Sequence, residues 1–420
     1  MMEKRINQST WQFLNERRDF GRLMAARHVS VLGDHVHTVA NMWLVQSLTG
    51  SSLAMGSVFI AYTIPQILFS LIGGVSVDRY NRKRILIYSD ILRAIGVFSL
   101  AILAFFDRLM VWHIALVAAF NGAAGAFFNP AVSASVPQMV DSDELQQANA
   151  LNSMNVRVAG ILGAALGGII IAGFGAWGGY TIDSITYLLS AMLLFGIRIP
   201  TPEHQQKVVS SAGITGVWQD LKDGIFYIVS RRSLLALASL SVAMNVVAIS
   251  IPVLLPSFAE VSLQLSDPTR YGFLWSGITI GMFLGAILLN VHHNVPNKVL
   301  WIFVVSFLYG VAVLTMALSR WYLVALFSMV LMSFSMSISM LLSTTLYQTL
   351  VPKEYLGRFF ANIGLFVLGL NPIIIWIAGF AADQFSAMTV LTTLSGFLLV
   401  FCLLWVTQYA AICRAIERLG

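Results

Sequence analysis

Apolar residues in this chain are gathered into long blocks, with polar residues confined to the gaps between them. Twelve blocks of similar length follow one another, at 28–48, 54–77, 85–106, 111–136, 145–174, 178–197, 233–258, 271–291, 299–319, 321–347, 357–382 and 386–411. A bilayer core about 30 Å thick is crossed by roughly 20 mostly apolar residues in helical form. A barrel strand would be shorter and would alternate. The pattern therefore predicts an all-α membrane protein of twelve transmembrane helices.

The longest polar stretch between blocks, 199–232, divides them six and six. It predicts two six-helix bundles, 1–198 and 233–420, joined by a linker. Within the linker, Ile214, Val217, Trp218, Leu221, Ile225 and Ile228 recur at helical spacing between polar residues, the pattern of an amphipathic helix on the inner membrane surface or packed on the protein. The halves also echo each other weakly: SVPQMVDSDEL follows the fourth block and YQTLVPKEYLGR the tenth.

Composition agrees with burial in lipid: 58% of the 420 residues are hydrophobic and 10% charged, against roughly 25% charged in soluble domains. The net charge of +6 does not mark a nucleic-acid surface, because the basic residues sort by membrane side. With the amino terminus inside, twenty of the twenty-five Lys and Arg fall on inner segments and only Arg108, Arg270 and Arg320 on outer ones. That asymmetry places both termini in the cytoplasm, and a bacterial-type inner membrane is the expected location. The first block has full spanning length and no small-residue cleavage site after it, so it reads as a retained helix. Cys402 and Cys413 lie in or beyond the last block and imply no disulfide framework.

The densest charge in the chain is GGVSVDRYNRKR at 73–84, where the second block emerges inside. Orientation by positive charge explains Arg79, Arg82, Lys83 and Arg84 but not Gly73, Gly74 or Asp78. Glycines here let a second backbone approach, and a carboxylate suits the positive end of a neighbouring helix, such as one starting near Gly357. The stretch resembles the loop signature of the major facilitator superfamily, G-x-x-x-D-R-x-G-R-R/K, with Gly74, Asp78, Arg79, Arg82 and Lys83 in register. Asn81 replaces the usual glycine and is expected to keep a left-handed turn. The resemblance implies a gating latch between two bundles, carried by these residues.

SDILRA, FFNPAVSASVP, ELQQANALNS and VPKEYLGR look like the branch of that superfamily with macrolide-efflux proteins and the enterobactin exporter. GILGAALGG at 160–168 is similar to a glycine-rich antiporter motif, though Ala164 stands where many members have proline. Read without the family, Gly160, Gly163, Gly167 and Gly168 form a close-packing surface.

Ionisable residues at membrane depth cost roughly 2.5–3.5 kcal/mol on insertion scales, so each needs a partner or a task. Asp90 and Arg93, three apart, are expected to neutralise each other. Asp183 reads as interfacial. Asp34 has no base one turn away, and His37, Thr38 and Asn41 continue its face. Arg157 in the fifth block lies at a comparable depth, and the family fold makes the first and fifth helices neighbours. The residues suggest Asp34 as a proton site, Arg157 as its counter-ion and His37 as a relay; a purely structural pair is the alternative.

Met329, Met332, Met336 and Met340 form a stripe in the tenth block, suited to a promiscuous binding surface and equally to ordinary packing. Asn41, Met42, Trp43, Phe127 and Asn245 are candidate companions in a substrate site. These features point to secondary active efflux of an amphipathic small molecule in exchange for protons, by a monomer with no cofactor and no metal. A lysolipid or lipid-anchor flippase and a solute importer fit the same pattern. The chain has no G-x-x-x-x-G-K phosphate loop, and the inner acids Asp141, Asp143 and Glu144 are expected to answer the bases after Asp78 or to cap the fifth helix rather than to form an enzyme's site.

Overall fold

The computed structural model describes residues 10–199, 230–292, 295–409 and Cys413. Every regular element among them is helical. In chain order they are α1 (Thr10–Glu16), α2 (Arg18–Thr49), α3 (Ser52–Arg79), α4 (Arg82–Phe105), α5 (Val111–Met139), α6 (Leu145–Phe195), α7 (Arg232–Val261), α8 (Pro268–Val291), α9 (Lys298–Leu318), α10 (Tyr322–Leu350), α11 (Lys353–Phe385) and α12 (Ala387–Trp405), closed by a short 3-10 turn. Ten stretches among them are long and apolar enough to cross a bilayer. The amphipathic stretch expected at 214–228 lies outside the described residues.

α2 is not among the ten, because Arg18, Asp19, Arg22, Arg27, Asp34 and three histidines lower its hydropathy. α6 runs for 51 residues but is broken at Gly175, whose φ of 70° and ψ of −173° leave the helical region. Only glycine adopts such a conformation without strain. The break leaves arms at 145–174 and 176–195, the second of which carries much of the site described below.

The described residues form two compact units, one holding 10–48, 57–199 and 267–272, the other 49–56, 230–266 and 273–409. In lipid no hydrophobic force drives helices together, so close packing and polar contacts hold them. In the first unit, a β-carbon on Gly122 of α5 would lie 2.0 Å from the Tyr62 carbonyl oxygen of α3, and one on Gly73 would lie 2.1 Å from that of Ala126. α2 and the first arm of α6 meet likewise: a β-carbon on Gly163 would come within 2.4 Å of the Leu32 carbonyl oxygen. At one end of this unit Phe13, Phe20, Leu86, Phe128 and Leu194 fill an apolar core. In the second unit, Gly281 of α8 meets the Val330 carbonyl of α10 in the same way. There Asp383, near the end of α11, accepts the amide hydrogens of Ser52 and Leu53 at 2.7 and 3.3 Å, satisfying the open first turn of α3.

Two of the three acids Asp141, Asp143 and Glu144 have a partner that the sequence did not suggest. Arg17, between α1 and α2, pairs with Asp141 and, at 3.0 Å, with Glu144. These two carboxylates answer the amino-terminal segment, and Glu144 also occupies the cap position of α6, though its side chain does not cap that helix.

Candidate functional site

The second arm of α6 reads YTIDSITYLLS, and Tyr180, Asp183, Ser184, Tyr187 and Ser190 fall on one helical face. All five are buried in the first unit. That face meets the polar stripe of α2. The Tyr187 hydroxyl donates to Asp34 Oδ1. His37 Nδ1 lies 3.1 Å from Asp183 Oδ2, close as an ion pair but out of line for a hydrogen bond. Tyr180 donates to Asn41 Oδ1 at 2.9 Å, and its ring meets that of His37 edge-on at 5.3 Å. Thr38, by contrast, spends its hydroxyl on the Asp34 carbonyl of its own helix.

α4 supplies the third side. Ser190 donates to Asp90 Oδ2 at 2.6 Å. The Arg93 guanidinium sits 5.0 Å from the centre of the Phe128 ring and 5.6 Å from that of Tyr187, a geometry in which the ring face attracts the cation. Asp90 and Arg93 therefore do not form the direct pair expected from their spacing; each turns to a different neighbour. Arg93 still feels the charges of Asp34 and Asp90, and Asp183 those of Asp34 and Arg93. The result is one electrostatic cluster of Asp34, Asp90, Asp183, Arg93 and His37, and Asp34 also faces Arg27 and His35 of its own helix.

Arg157 stands apart from it. Asn155, two residues earlier, donates to the Met24 carbonyl and sits 2.6 Å from His28, while Gly163 packs on Leu32. This register sets Arg157 about eight residues, or roughly 12 Å, below the level of Asp34. No ion pair joins the two. Counting depth from the outer helix ends failed because the two ends are not level: with Gly163 against Leu32, α2 runs about five residues past the level of Gly175. Asp183, expected at the interface, is fully buried. Tyr180 and Tyr187 were missed, yet with Asp183 they left a signal in the sequence, a polar stripe at helical spacing inside an apolar block.

In the charged stretch, Arg82 donates to the carbonyls of Val77 and Ala134, tying the ends of α3 and α5, and Lys83 donates to the Phe195 carbonyl at the end of α6. Asp78 and Arg79 are exposed. Asn81 is not left-handed: at φ −64° and ψ 112° it is extended, and its side chain accepts the Arg84 amide as a helix cap. Of the two glycines it is Gly73 that admits a neighbouring backbone; a β-carbon on Gly74 would meet nothing within 4 Å.

The expected substrate companions separate. Met42 is buried and its sulfur accepts from Tyr271, whose ring lies 6.3 Å from that of Trp43. Phe127 lies against Phe69, 6.3 Å between ring centres, on a different groove of the same unit. In the second unit Asn245 and Met336 are half-buried, Met332 is buried and Met340 is 61% exposed, so the methionine stripe runs from core to surface. A cavity of about 450 Å³ in that unit is lined instead by α7, α11, α12 and Tyr347, which sits 3.1 Å from Ser241.

Residues 8–415 match the family described as transmembrane secretion effector, a branch of the major facilitator superfamily. The chain belongs to that family. It is 22% identical over 375 residues to macrolide efflux protein A of Streptococcus pyogenes, covering 89% of this chain and 91% of that protein. The enterobactin exporter of Salmonella typhimurium is 26% identical over 361 residues, 84% of each chain. The multidrug efflux pump Tap of Mycolicibacterium fortuitum is 25% identical over 382 residues, 88% of this chain and 92% of the pump. The fold matches that of an inward-facing bacterial homologue of the lysosomal transporter Spinster, with a TM-score of 0.68 and 15% identity over 96% of this chain and 98% of the other. It also matches the peptide transporter POT in complex with sulfate, at 0.71 and 13% over 95% of each. This major facilitator protein is thus a multi-pass transporter of the inner membrane with efflux pumps among its relatives, and not an enzyme.

Proposed function

We propose that this transporter expels amphipathic small molecules in exchange for protons by alternating access. The observation that carries the reading is the cluster around Asp34, Asp90 and Asp183, in which Arg93 faces all three carboxyl groups and Arg27 faces Asp34. In a low-dielectric interior a charged carboxylate carries a desolvation penalty that depends on its access to water. Admitting water from one side lowers that penalty and lets a proton go. Asp34 is the proton site in this reading because it is half-buried, whereas Asp90 and Asp183 are fully enclosed. Tyr187 holds it in place, and His37 with Asp183 forms the relay.

Counting the arms of α6 separately and including α2 gives twelve crossings, six before and six after 199–232, with both ends inside. The bundles 1–198 and 233–420 then rock about the substrate as a monomer. Exposed Asp78 and Arg79 serve as the latch, while Arg82 and Lys83 hold their turn in shape. Trp43 in the first unit, and Asn245, Met336 and Met340 in the second, retain the exposure needed to touch substrate, whereas Asn41, Met42 and Met332 are buried within their own units. The macrolide and multidrug pumps among the relatives support an amphipathic cargo. Adding a macrolide to proteoliposomes loaded with a pH dye tests this: transport of the drug must move protons in the opposite direction, and drug movement without proton movement refutes it.

A further inference from the structure

Three helices of the first unit enclose a groove of about 470 Å³. Phe69 of α3, Leu92 of α4 and Phe120, Ala124 and Phe127 of α5 form its walls. Its mouth, at the end that the charge asymmetry places inside, is ringed by Tyr80, Arg84 and Tyr88. From Arg84 to Leu92 is eight residues of helix, roughly 12 Å, most of the depth of one leaflet's hydrocarbon.

The mouth is polar in a particular way. Arg82 and Lys83 are committed to backbone carbonyls. The Arg84 side chain is exposed and makes no hydrogen bond or ion pair among the described residues; only its backbone amide is engaged, by Asn81. Tyr80 and Tyr88 are 68% and 61% exposed beside it, where amphipathic rings mark a membrane's headgroup level. An uncompensated cation and two phenols thus stand over an apolar slot at membrane depth, where lipid is the solvent. Water would leave the walls unsatisfied, and a zwitterionic headgroup would set its own ammonium near the guanidinium.

We propose that this groove binds one anionic glycerophospholipid of the inner leaflet, its phosphate on Arg84 between Tyr80 and Tyr88 and one acyl chain along the Phe69–Phe127 wall. The site is separate from the polar cluster and does not depend on proton coupling. Such a lipid fixes α3, α4 and α5 together below the charged turn.

The test is thermal unfolding of delipidated, detergent-purified protein titrated with dioleoylphosphatidylglycerol or dioleoylphosphatidylcholine. The anionic lipid raises the apparent midpoint saturably, by roughly 3–5 °C, and the zwitterionic lipid does not. Arg84→Gln removes the cation and Ala124→Phe fills the slot; each abolishes the shift while unfolding near the wild-type midpoint without lipid. Arg79→Gln, an exposed base at the same end that does not line the groove, keeps it. Equal stabilisation by both lipids, loss of the shift in Arg79→Gln, or its survival in Arg84→Gln or Ala124→Phe overturns the proposal. So does light scattering that finds a lipid-independent dimer dissociated by Ala124→Phe, which would assign the groove to a second copy of the chain.

Discussion

Tyr187 donates its hydroxyl to Asp34, a carboxylate 153 residues earlier in the chain. The same ring lies 5.6 Å from the Arg93 guanidinium, so one tyrosine touches both an acid and a cation of the cluster. Tyr187→Phe keeps the ring against Arg93 and deletes only the donor. We expect a stability loss of about 0.5–2 kcal/mol and a displaced pH profile of transport with substrate KM unchanged. Transport assayed across a pH series checks this; an unmoved profile would assign the bond to packing alone.

His37 and Asp183 are both buried and lie 3.1 Å apart. Removing one partner of a buried pair costs about 3–5 kcal/mol, whereas replacing both by apolar groups often costs much less. Asp183→Ala should therefore destabilise strongly, and the double variant His37→Phe, Asp183→Leu should recover part of the loss. Denaturation of the four proteins in a double-mutant cycle should yield a coupling of about 1 kcal/mol or more.

Gly122 and Gly74 should respond oppositely to alanine. A β-carbon at Gly122 would sit 2.0 Å from a backbone oxygen, so Gly122→Ala must separate α3 from α5 and should cost about 1–3 kcal/mol. At Gly74 the space is open, and alanine should be neutral or stabilise by up to about 1 kcal/mol. Unfolding midpoints decide between them. If Gly74→Ala also loses transport, the role of Gly74 lies in the moving latch rather than in the packing seen here.

Arg17 tests the amino-terminal clamp. Its hydrogen bond with Glu144, and then the charges of Glu144 and Asp141, hold its pKa above the ordinary arginine value against the opposing effect of burial. A group with a raised folded pKa gives its full contribution below its unfolded pKa and loses it only as pH climbs past the folded one. The midpoint difference between wild type and Arg17→Ala should thus be constant from pH 6 to 9. Because the side chains are 31%, 54% and 10% exposed, the effect should be about 1 kcal/mol and shrink in high salt.

Membrane class and family were legible because burial in lipid writes long apolar blocks, and because the charged turn carries side chains in a fixed order. Gly175 lay in the gap between two predicted helices, so the break in α6 fell where the polarity pattern put it. The site was legible only in part. Asp34, His37 and Asn41 form a stripe whatever surrounds them, but their partners depend on how helices are turned and offset, which periodicity does not encode. Arg157 was drawn to Asp34 by counting from helix ends, whereas glycine-mediated contact between α2 and α6 sets the register. The Asp90–Arg93 spacing suggested a pair, but Ser190 and the rings of Phe128 and Tyr187 compete for the two side chains.

The claim beneath the functional reading is that Asp34 gains and loses the coupled proton. Its most direct test is Asp34→Asn in proteoliposomes, with drug efflux measured against an imposed pH gradient beside wild type. The account predicts that the variant unfolds near the wild-type midpoint, still equilibrates drug down its own gradient, and no longer responds to the pH gradient. Accumulation that follows the gradient as steeply as in wild type would contradict it.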